Sequence, residues 1–388
     1  MLLISRFLFF FLFLVSLNVF SVDFHDFDSY QGKFTAEEVA LKIQKFLEKE
    51  ESIKSFYRLT PDALTIGDLD HQAQDYILKL TTTSLNIPQK KYRGIGLKNV
   101  KIAIDPGHFG GELAEIEERR IDIPAEKTRN NRAIHFSEGD LTYLTARALQ
   151  RMLEAEGSQV LITRPGLGRG AIELSFFEWM QNHGSLKRKA SSLAKLFRDH
   201  YNKQDLIARA EKINAFSPDL TVVIHYNAHL TDEEKEKKEV LTGCNYNLAF
   251  IPGAFGKNEL NRIRDRYEFL RLIVTDDIEE SLKLSRHIVT KFVAKLNTPL
   301  IDDNEKTSYT KASCLLQDQG IYSRNLALTR LVHGPVCYGE TLVQNNEEEV
   351  YRLSSHDAII AGIPCSKRIQ EVAEGYFEGI KEYLNDMP

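Results

Sequence analysis

The sequence has few cysteines, few methionines and a single tryptophan, and it has no excess of basic residues. Its 388 residues include 4 Cys, 4 Met and 1 Trp, and the formal net charge is −5. Cys244, Cys314, Cys337 and Cys365 form no C-x-x-C pair, which argues against a zinc ribbon or a thiol redox centre. They are most simply buried small side chains, although export would permit a disulfide. The acidic balance argues against a nucleic-acid partner, because such proteins carry a basic surface.

Long apolar runs are also lacking, with one exception at the very start. Residues 7–20 form a nearly continuous apolar segment after Arg6, and the small residues Val19 and Ser21 suit a cleavage site after residue 21. This order is typical of a secretory signal peptide. The segment is shorter than the roughly 20 residues that a membrane span requires. We therefore expect residues 1–21 to be removed on export to the periplasm or cell envelope, which leaves a mature chain without a stable membrane span.

The remaining sequence divides into two regions. Residues 22–98 are expected to form a small helical N-terminal region, with a helix capped by Thr35, a second helix over residues 69–83 and then a linker. From residue 99 to 388, strand patterns alternate with amphipathic helices, which predicts an α/β fold with a mostly parallel twisted sheet flanked by helices. Segments 165–205 and 229–275 break this rhythm, and we expect them to be insertions in one large domain.

Three candidate chemical groups stand at the predicted carboxyl ends of strands. His108 follows VKIAID, His225 ends LTVVIH and Glu340 ends GPVCYGE. Ligands of α/β sheets bind at this edge, and Glu138 can approach it from the first turn of a helix. Two imidazoles and one carboxylate are a common catalytic zinc set, and a further carboxylate suits acid–base chemistry. Each residue alone also has a structural explanation, as a turn, core, helix-dipole or strand-end residue.

A second metal arrangement is open on spacing alone. His135 and Glu138 form the pair H-x-x-E of zinc carboxypeptidase-type peptidases, with His225 as a distant third ligand. This arrangement leaves His108 and its D-P-G-H turn without a role. The sequence contains no H-E-x-x-H, G-x-S-x-G or P-loop motif, so serine-hydrolase and nucleotide chemistry have no support.

Four segments, in order, resemble the motifs of the zinc-dependent N-acetylmuramoyl-L-alanine amidases, the AmiA/AmiB/AmiC-like enzymes of cell-wall turnover. They are IAIDPGHFGG (102–111), SEGDLTYLTARALQRMLEAEGSQVLITR (137–164), LIARAEKINAFSPDLTVVIHYNAH (206–229) and YSRNLALTRLVHGPVCYGETLVQNNEEEVYRL (322–353). The resemblance covers residues 100–385. It implies the phosphorylase/hydrolase-like amidase fold and hydrolysis of the amide between N-acetylmuramic acid and the L-alanine of the peptidoglycan stem peptide.

The resemblance also implies roles for single residues. His108, Glu138 and His225 correspond to the ligands of one Zn²⁺ ion, Glu340 to the catalytic glutamate and Asn227 to a position near the substrate. The implied partner is peptidoglycan, in cell-wall remodelling or daughter-cell separation, and there is room for a division-associated activator protein. The alternative function is a non-catalytic peptidoglycan-binding or scaffold protein on the same fold, against which the complete ligand set argues.

Two further features of the family have counterparts in this sequence. Some members carry an autoinhibitory helix after the third ligand, and segment 256–275 stands at that place, where Glu259 or Glu268 is a candidate regulatory ligand. A mobile loop is the alternative. Arg164 matches the arginine that ends the family's second strand, where a structural and a catalytic role are both open.

Overall fold

The computed structural model describes residues 22–67, 75–83, 96–230, 240–256, 258–302 and 304–386. The predicted signal peptide and most of the predicted linker lie outside these ranges. No helix within them combines the length and the apolar character that a membrane crossing needs.

The described strands and helices follow one another along the chain. The strands are β1 (Tyr57–Leu59), β2 (Ala63–Ile66), β3 (Tyr76–Lys79), β4 (Lys101–Pro106), β5 (Arg120–Ile123), β6 (Ile134–Ser137), β7 (Gln159–Ile162), β8 (Leu220–Asn227), β9 (Leu248–Ile251), β10 (Cys314–Asp318), β11 (Ile321–Arg324), β12 (Val336–Val343), β13 (Ala358–Ile360) and β14 (Ile363–Cys365). The α-helices are α1 (Ala36–Lys42), α2 (Ala114–Glu117), α3 (Glu138–Ala155), α4 (Phe176–Asn182), α5 (Gly184–Lys189), α6 (Leu193–Leu196), α7 (Asn202–Phe216), α8 (Ile263–Val274), α9 (Asp277–Leu296), α10 (Ser308–Ser313), α11 (Ala327–Leu331), α12 (Glu349–Leu353) and α13 (Lys367–Asn385). Short 3₁₀ or π segments lie at Phe24–Tyr30, Ile43–Leu47, Glu51–Phe56, Gly111–Leu113, Ala125–Lys127 and Phe197–Tyr201.

A seven-stranded sheet forms the centre of the molecule. Its order is β10-β11-β9-β12-β8-β4-β7. The pairs β11–β9, β12–β8, β8–β4 and β4–β7 are parallel, whereas β10–β11 and β12–β9 are antiparallel. Every residue of β8 is buried, as expected for an interior strand of a sheet covered on both faces. The predicted mostly parallel sheet is therefore confirmed.

Helices cover both faces of this sheet, and the period-two alternation of the strands explains how. Ile104 and Ile224 point into the larger core with α3, α9 and α13, whereas Ala103 and Val223 pack on the opposite side with α7 and α11. The helix α3 begins at a cap in which Ser137 accepts a hydrogen bond from the backbone N–H of Asp140 at 3.1 Å.

The N-terminal region contains a small antiparallel sheet as well as helical segments. The strands β1, β2 and β3 pair in sequence order. The helix predicted over residues 69–83 is wrong where the chain is described, because Tyr76–Lys79 pairs with β2 and buries Leu78. The region packs on the large domain, and the backbone N–H of Phe255 donates to the carbonyl of Leu47 at 2.7 Å.

The two segments expected to be insertions have different structures. Residues 165–205 contain α4, α5 and α6, and an aromatic cluster ties them to the loop after β4. This cluster includes Phe109, Phe176, Trp179, Phe197 and Tyr201. Segment 229–275 supplies β9 to the central sheet and α8 beside it, while residues 231–239 lie outside the described ranges. All four cysteines are free thiols.

Candidate metal centre and active site

Three parallel strands and one helix bring the candidate residues to the same edge of the sheet. His225 lies in β8, directly beside Glu340 of β12 in the pairing register. His108 follows the end of β4, and Glu138 is the first residue of α3. Since β4, β8 and β12 run in the same direction, their carboxyl ends share this edge.

The side chains of His108, Glu138 and His225 converge. One ligand atom from each lies within 4.8 Å of the other two. The Nε2 atom of His108 is 3.2 Å from Oε2 of Glu138, and Nδ1 of His225 is 3.0 Å from Oε1 of Glu138. No other group of three His, Cys, Asp or Glu residues with this spacing occurs in the described ranges.

The second nitrogen of each imidazole has a partner of its own. Nδ1 of His108 lies 2.9 Å from Oε1 of Glu117, and Nε2 of His225 lies 2.8 Å from the hydroxyl of Tyr338. Such outer partners fix the orientation of metal-binding histidines. Gly107 leaves room for the His225 ring, since a Cβ atom at position 107 would stand 2.2 Å from Nε2. Two oriented imidazoles and a buried carboxylate fit a divalent ion such as zinc, with room for a further ligand.

The loop that carries His108 is strained and strongly supported. His108 has a φ of 57°, in the left-handed region that non-glycine residues rarely adopt. The fully buried Arg164 donates to the carbonyl oxygens of Pro106 and Phe109 at 2.9 and 2.8 Å. Arg164 therefore stabilises this loop, because its donors bind backbone carbonyl oxygens of the loop.

A second buried arginine anchors the same loop through two carboxylates. Arg209 of α7 donates to the carbonyl oxygen of Pro106 at 2.9 Å, to Asp205 at 2.6 Å and to Asp105 at 3.3 Å. All three charged side chains are buried. Because a conformation of this kind persists only where its surroundings enforce it, the two arginines account for the position of His108.

The two histidines of the trio differ in the direction of their pKa shifts, because different charges surround them. Burial opposes protonation of His108, but the carboxylates of Glu138 and Glu117 outweigh it and raise the pKa of His108 to about 9. Burial lowers the pKa of His225. Burial also disfavours the charged form of Glu138, yet the neighbouring His108 and His225 hold its pKa well below the usual range. The site thus combines a carboxylate, a neutral imidazole and an imidazole that holds a proton until a cation replaces it.

Glu340 stands beside the trio in a different electrostatic state. Burial and the negative charge of Glu138 raise the pKa of Glu340 to about 8, against the opposing charges of Arg324, His108 and Arg119. A carboxyl group whose pKa lies close to neutral pH can both accept and return a proton.

Asn227 ends β8 two residues after His225, on the same face of the strand. The residue is 5% exposed, and its Nδ2 atom is buried without a hydrogen-bond partner in the described structure. The neighbouring Gln344 donates to Oε2 of Glu138 at 3.3 Å. Sequence reasoning missed Gln344, as it missed Glu117 and Tyr338, because their contacts to the trio depend on how the chain folds and no spacing in the sequence marks them.

Three residues considered from the sequence, and the nearby His229, lie away from the trio. Glu268 pairs with Arg271 at 2.6 Å, and Glu259 accepts a hydrogen bond from the backbone N–H of Gly256 at 2.6 Å. His135 is 65% exposed in its side chain and pairs with Asp122, which removes the geometric basis of the H-x-x-E arrangement. The last of them, His229, contacts the hydroxyl of Tyr246 at 3.0 Å.

A comparison with known protein families agrees with the arrangement of the candidate residues. Residues 102–363 match a protein family described as N-acetylmuramoyl-L-alanine amidase. No curated protein sequence matches the chain.

Solved structures of similar proteins include three amidases. The CwlD amidase from Clostridioides difficile, solved in complex with the GerS lipoprotein, is 19% identical with a TM-score of 0.42 over 74% of this chain and 98% of that one. Ami1 from Mycobacterium smegmatis is 14% identical with a TM-score of 0.42 over 74% and 98% of the two chains. AmiC2 of Nostoc punctiforme is 15% identical with a TM-score of 0.39 over 75% and 99%.

Proposed function

Because the chain belongs to the N-acetylmuramoyl-L-alanine amidase family, we propose that it hydrolyses the amide between N-acetylmuramic acid and L-alanine in a zinc-dependent reaction. His108, Glu138 and His225 would hold the zinc, and Glu340 would move the proton. The convergence of those three donors within 4.8 Å carries this proposal. The complete set of three donors beside Glu340 also favours an enzyme over a scaffold, because binding of peptidoglycan alone does not require a metal site.

Zinc held by these three residues would supply a Lewis acid for the scissile carbonyl and would make a nearby water easier to deprotonate. The carboxylate of Glu340 accepts a proton from the attacking water and delivers it to the amide nitrogen as the carbon–nitrogen bond breaks. In the metal-free protein, burial and the charge of Glu138 raise the pKa of Glu340 to about 8. A bound cation would lower this pKa toward the range in which the group is a carboxylate and accepts a proton. The products are the free lactyl carboxyl group and the amino terminus of the stem peptide.

Asn227 is the proposed contact to the substrate. A buried amide nitrogen without a partner is costly, roughly 1–3 kcal/mol. A carbonyl oxygen of the muramoyl group or of the peptide would satisfy the Nδ2 atom that has no partner among the described residues.

The proposal extends to the location and the partners of the enzyme. A signal peptide in residues 1–21 would direct it to the periplasm or cell envelope, and residues 99–388 would form the catalytic domain. There it would act on peptidoglycan in cell-wall remodelling or daughter-cell separation, with a division-associated activator protein as a candidate partner. Mass spectrometry of the exported protein should find an amino terminus at Val22.

A digest of purified peptidoglycan tests the activity. The zinc-loaded protein should release free stem peptides, and Glu340→Gln should lower the rate by roughly 10²- to 10⁴-fold, the usual contribution of a general acid–base group. Glu340→Gln should retain its zinc, whereas His108→Ala should lose it. Glu347→Gln, which alters an exposed acid of the following loop, serves as the control. Binding of peptidoglycan without release of peptide by the zinc-loaded protein would instead establish the scaffold function.

A further inference from the structure

A row of aromatic rings leads from the metal trio to Arg324. The ring of His225 stacks on Tyr338 with 4.6 Å between centroids and 11° between planes. Tyr338 lies 6.0 Å from Phe250, and the guanidinium of Arg324 lies 4.9 Å from the Phe250 centroid. Tyr309 contacts the same guanidinium at 4.6 Å. Arg324 is therefore separated from a proposed zinc ligand by only two rings.

The pairing of the strands places the residues of this row on one face of the sheet. Tyr338 of β12 is paired with Phe250 of β9, and Phe250 is paired with Tyr322 of β11. Since alternate residues of a strand share a face, Arg324 lies on the same face as Tyr322, and Glu340 on the same face as Tyr338. Arg324 and the catalytic Glu340 thus belong to one continuous surface.

The charge of Arg324 has no acidic partner in the described ranges. Its contacts there are the two aromatic rings, and the side chain is partly open to solvent. Stacking between rings holds a guanidinium in position without neutralising it. A planar guanidinium fixed in this way offers two parallel donors to a carboxylate. It is also close enough to Glu340 to lower the pKa of that group.

We propose that Arg324, held between Phe250 and Tyr309, forms a subsite that binds a carboxylate of the stem peptide. The inference rests on the proposed function. In the bond to be cleaved, the lactyl carboxyl of muramic acid is consumed in the amide, so the neutral sugar offers no anion to this guanidinium. The negative charges of the substrate lie on the peptide side, which assigns the Arg324 side of the surface to the peptide. Arg324 would set specificity for acidic stem peptides.

Two substrates separate this role from a structural one. One is a muramoyl peptide with free carboxylates, and the other is the same compound with every peptide carboxylate converted to a carboxamide. The wild-type protein should cleave the free form with a KM roughly tenfold lower, the effect of about 1.4 kcal/mol. Arg324→Met should remove this preference by raising KM for the acidic substrate alone, and Arg324→Lys should retain part of it. Arg286→Met, which removes an arginine paired with Asp318 elsewhere, is the matched control.

Binding of the product gives a readout independent of the reaction. Calorimetry on the metal-free protein should show that the released acidic peptide binds about tenfold more weakly to Arg324→Met than to Arg286→Met. Equal cleavage of both substrates by the wild type would overturn the subsite while leaving the proposed amidase activity intact. Equal losses on both substrates in Arg324→Met would identify a structural residue and likewise overturn it. Failure to cleave either substrate would count against the proposed function itself.

Discussion

Nδ1 of His108 lies 2.9 Å from one carboxylate oxygen of Glu117, and the other oxygen accepts a hydrogen bond from the backbone N–H of Phe109 at 2.9 Å. Glu117 therefore holds both the imidazole and the chain that follows it. The contact leaves Nε2 as the nitrogen of His108 that faces Glu138. The proposed ligand and its support thus come from one short stretch of the chain, the loop after β4 and the helix α2 that follows it.

Glu117→Gln should weaken zinc binding. Loss of an outer partner to a metal-binding histidine typically costs roughly 10- to 100-fold in metal affinity, and we expect a loss in this range. Competition against a coloured chelator measures it. Glu115→Gln, an exposed acid of the same helix, should bind zinc like the wild type. Unchanged affinity in Glu117→Gln would show that the contact does not support the ligand.

Zinc affinity should rise with pH. In the metal-free protein the pKa of His108 is raised to about 9, so below that pH the ring carries a proton that zinc must displace. The apparent affinity should increase by about tenfold for each pH unit from 7 toward 9 and then level off. His225 adds no dependence in this range, because burial lowers its pKa. Calorimetry in two buffers of different ionisation enthalpy should count at least one released proton near pH 7.5, with Glu340 as a second source because its pKa is raised to about 8. No proton release would contradict this assignment.

Arg209→Met should destabilise the fold strongly. The substitution leaves Asp105 and Asp205 buried without their cation, and breaking a buried ion pair costs about 3–5 kcal/mol. Urea unfolding measures the change in the free energy of unfolding. Lys203→Met removes an exposed cation from the same helix and should change stability by less than about 0.5 kcal/mol. Equal stability of the two variants would refute the anchoring role.

Tyr338→Phe should impair the site while preserving the ring stack on His225. Removing the hydroxyl leaves Nε2 of His225 without its 2.8 Å partner, at a cost of roughly 1–3 kcal/mol. We expect weaker zinc binding and a lower melting temperature. Tyr246→Phe loses the corresponding contact to His229 at 3.0 Å, so it provides a chemically matched control that should keep its zinc affinity. If both variants bind zinc alike, the hydroxyl has no part in holding His225.

The motif order predicted much of the site, since strand ends and ligands coincide in the sequence. The alternation in residues 100–105 and the β-branched apolar run in residues 220–225 mark β4 and β8, and each strand leads to a histidine of the trio. Glu117 could not be predicted, because it stands among several acids whose contacts depend on how the loop folds. The regulatory role considered for Glu268 stays a prediction, and the structure shows a local partner for this residue. The sequence places Arg271 three residues later on the same helix, and the two side chains pair.

The N-terminal region shows where sequence periodicity misleads. The segment from Leu69 to Thr83 has enough apolar residues for a helix, yet Tyr76–Lys79 is a strand. Its neighbour β2 offers an open edge, and Leu78 enters the same core as Leu64 and Ile66. Pairing with a neighbouring strand outweighed the weak helical preference of a four-residue stretch.

The hydrophobic core includes residues on both sides of the family match, which limits where the chain can be shortened. The family match ends at residue 363, but α13 begins at Lys367 and buries Val372, Tyr376 and Ile380 against the helices of the main layer. At the other end, Phe46 and Leu47 close the same core beside Phe255. The apolar core thus extends beyond both borders of the family match. A fragment cut at those borders would expose apolar side chains that the full chain buries.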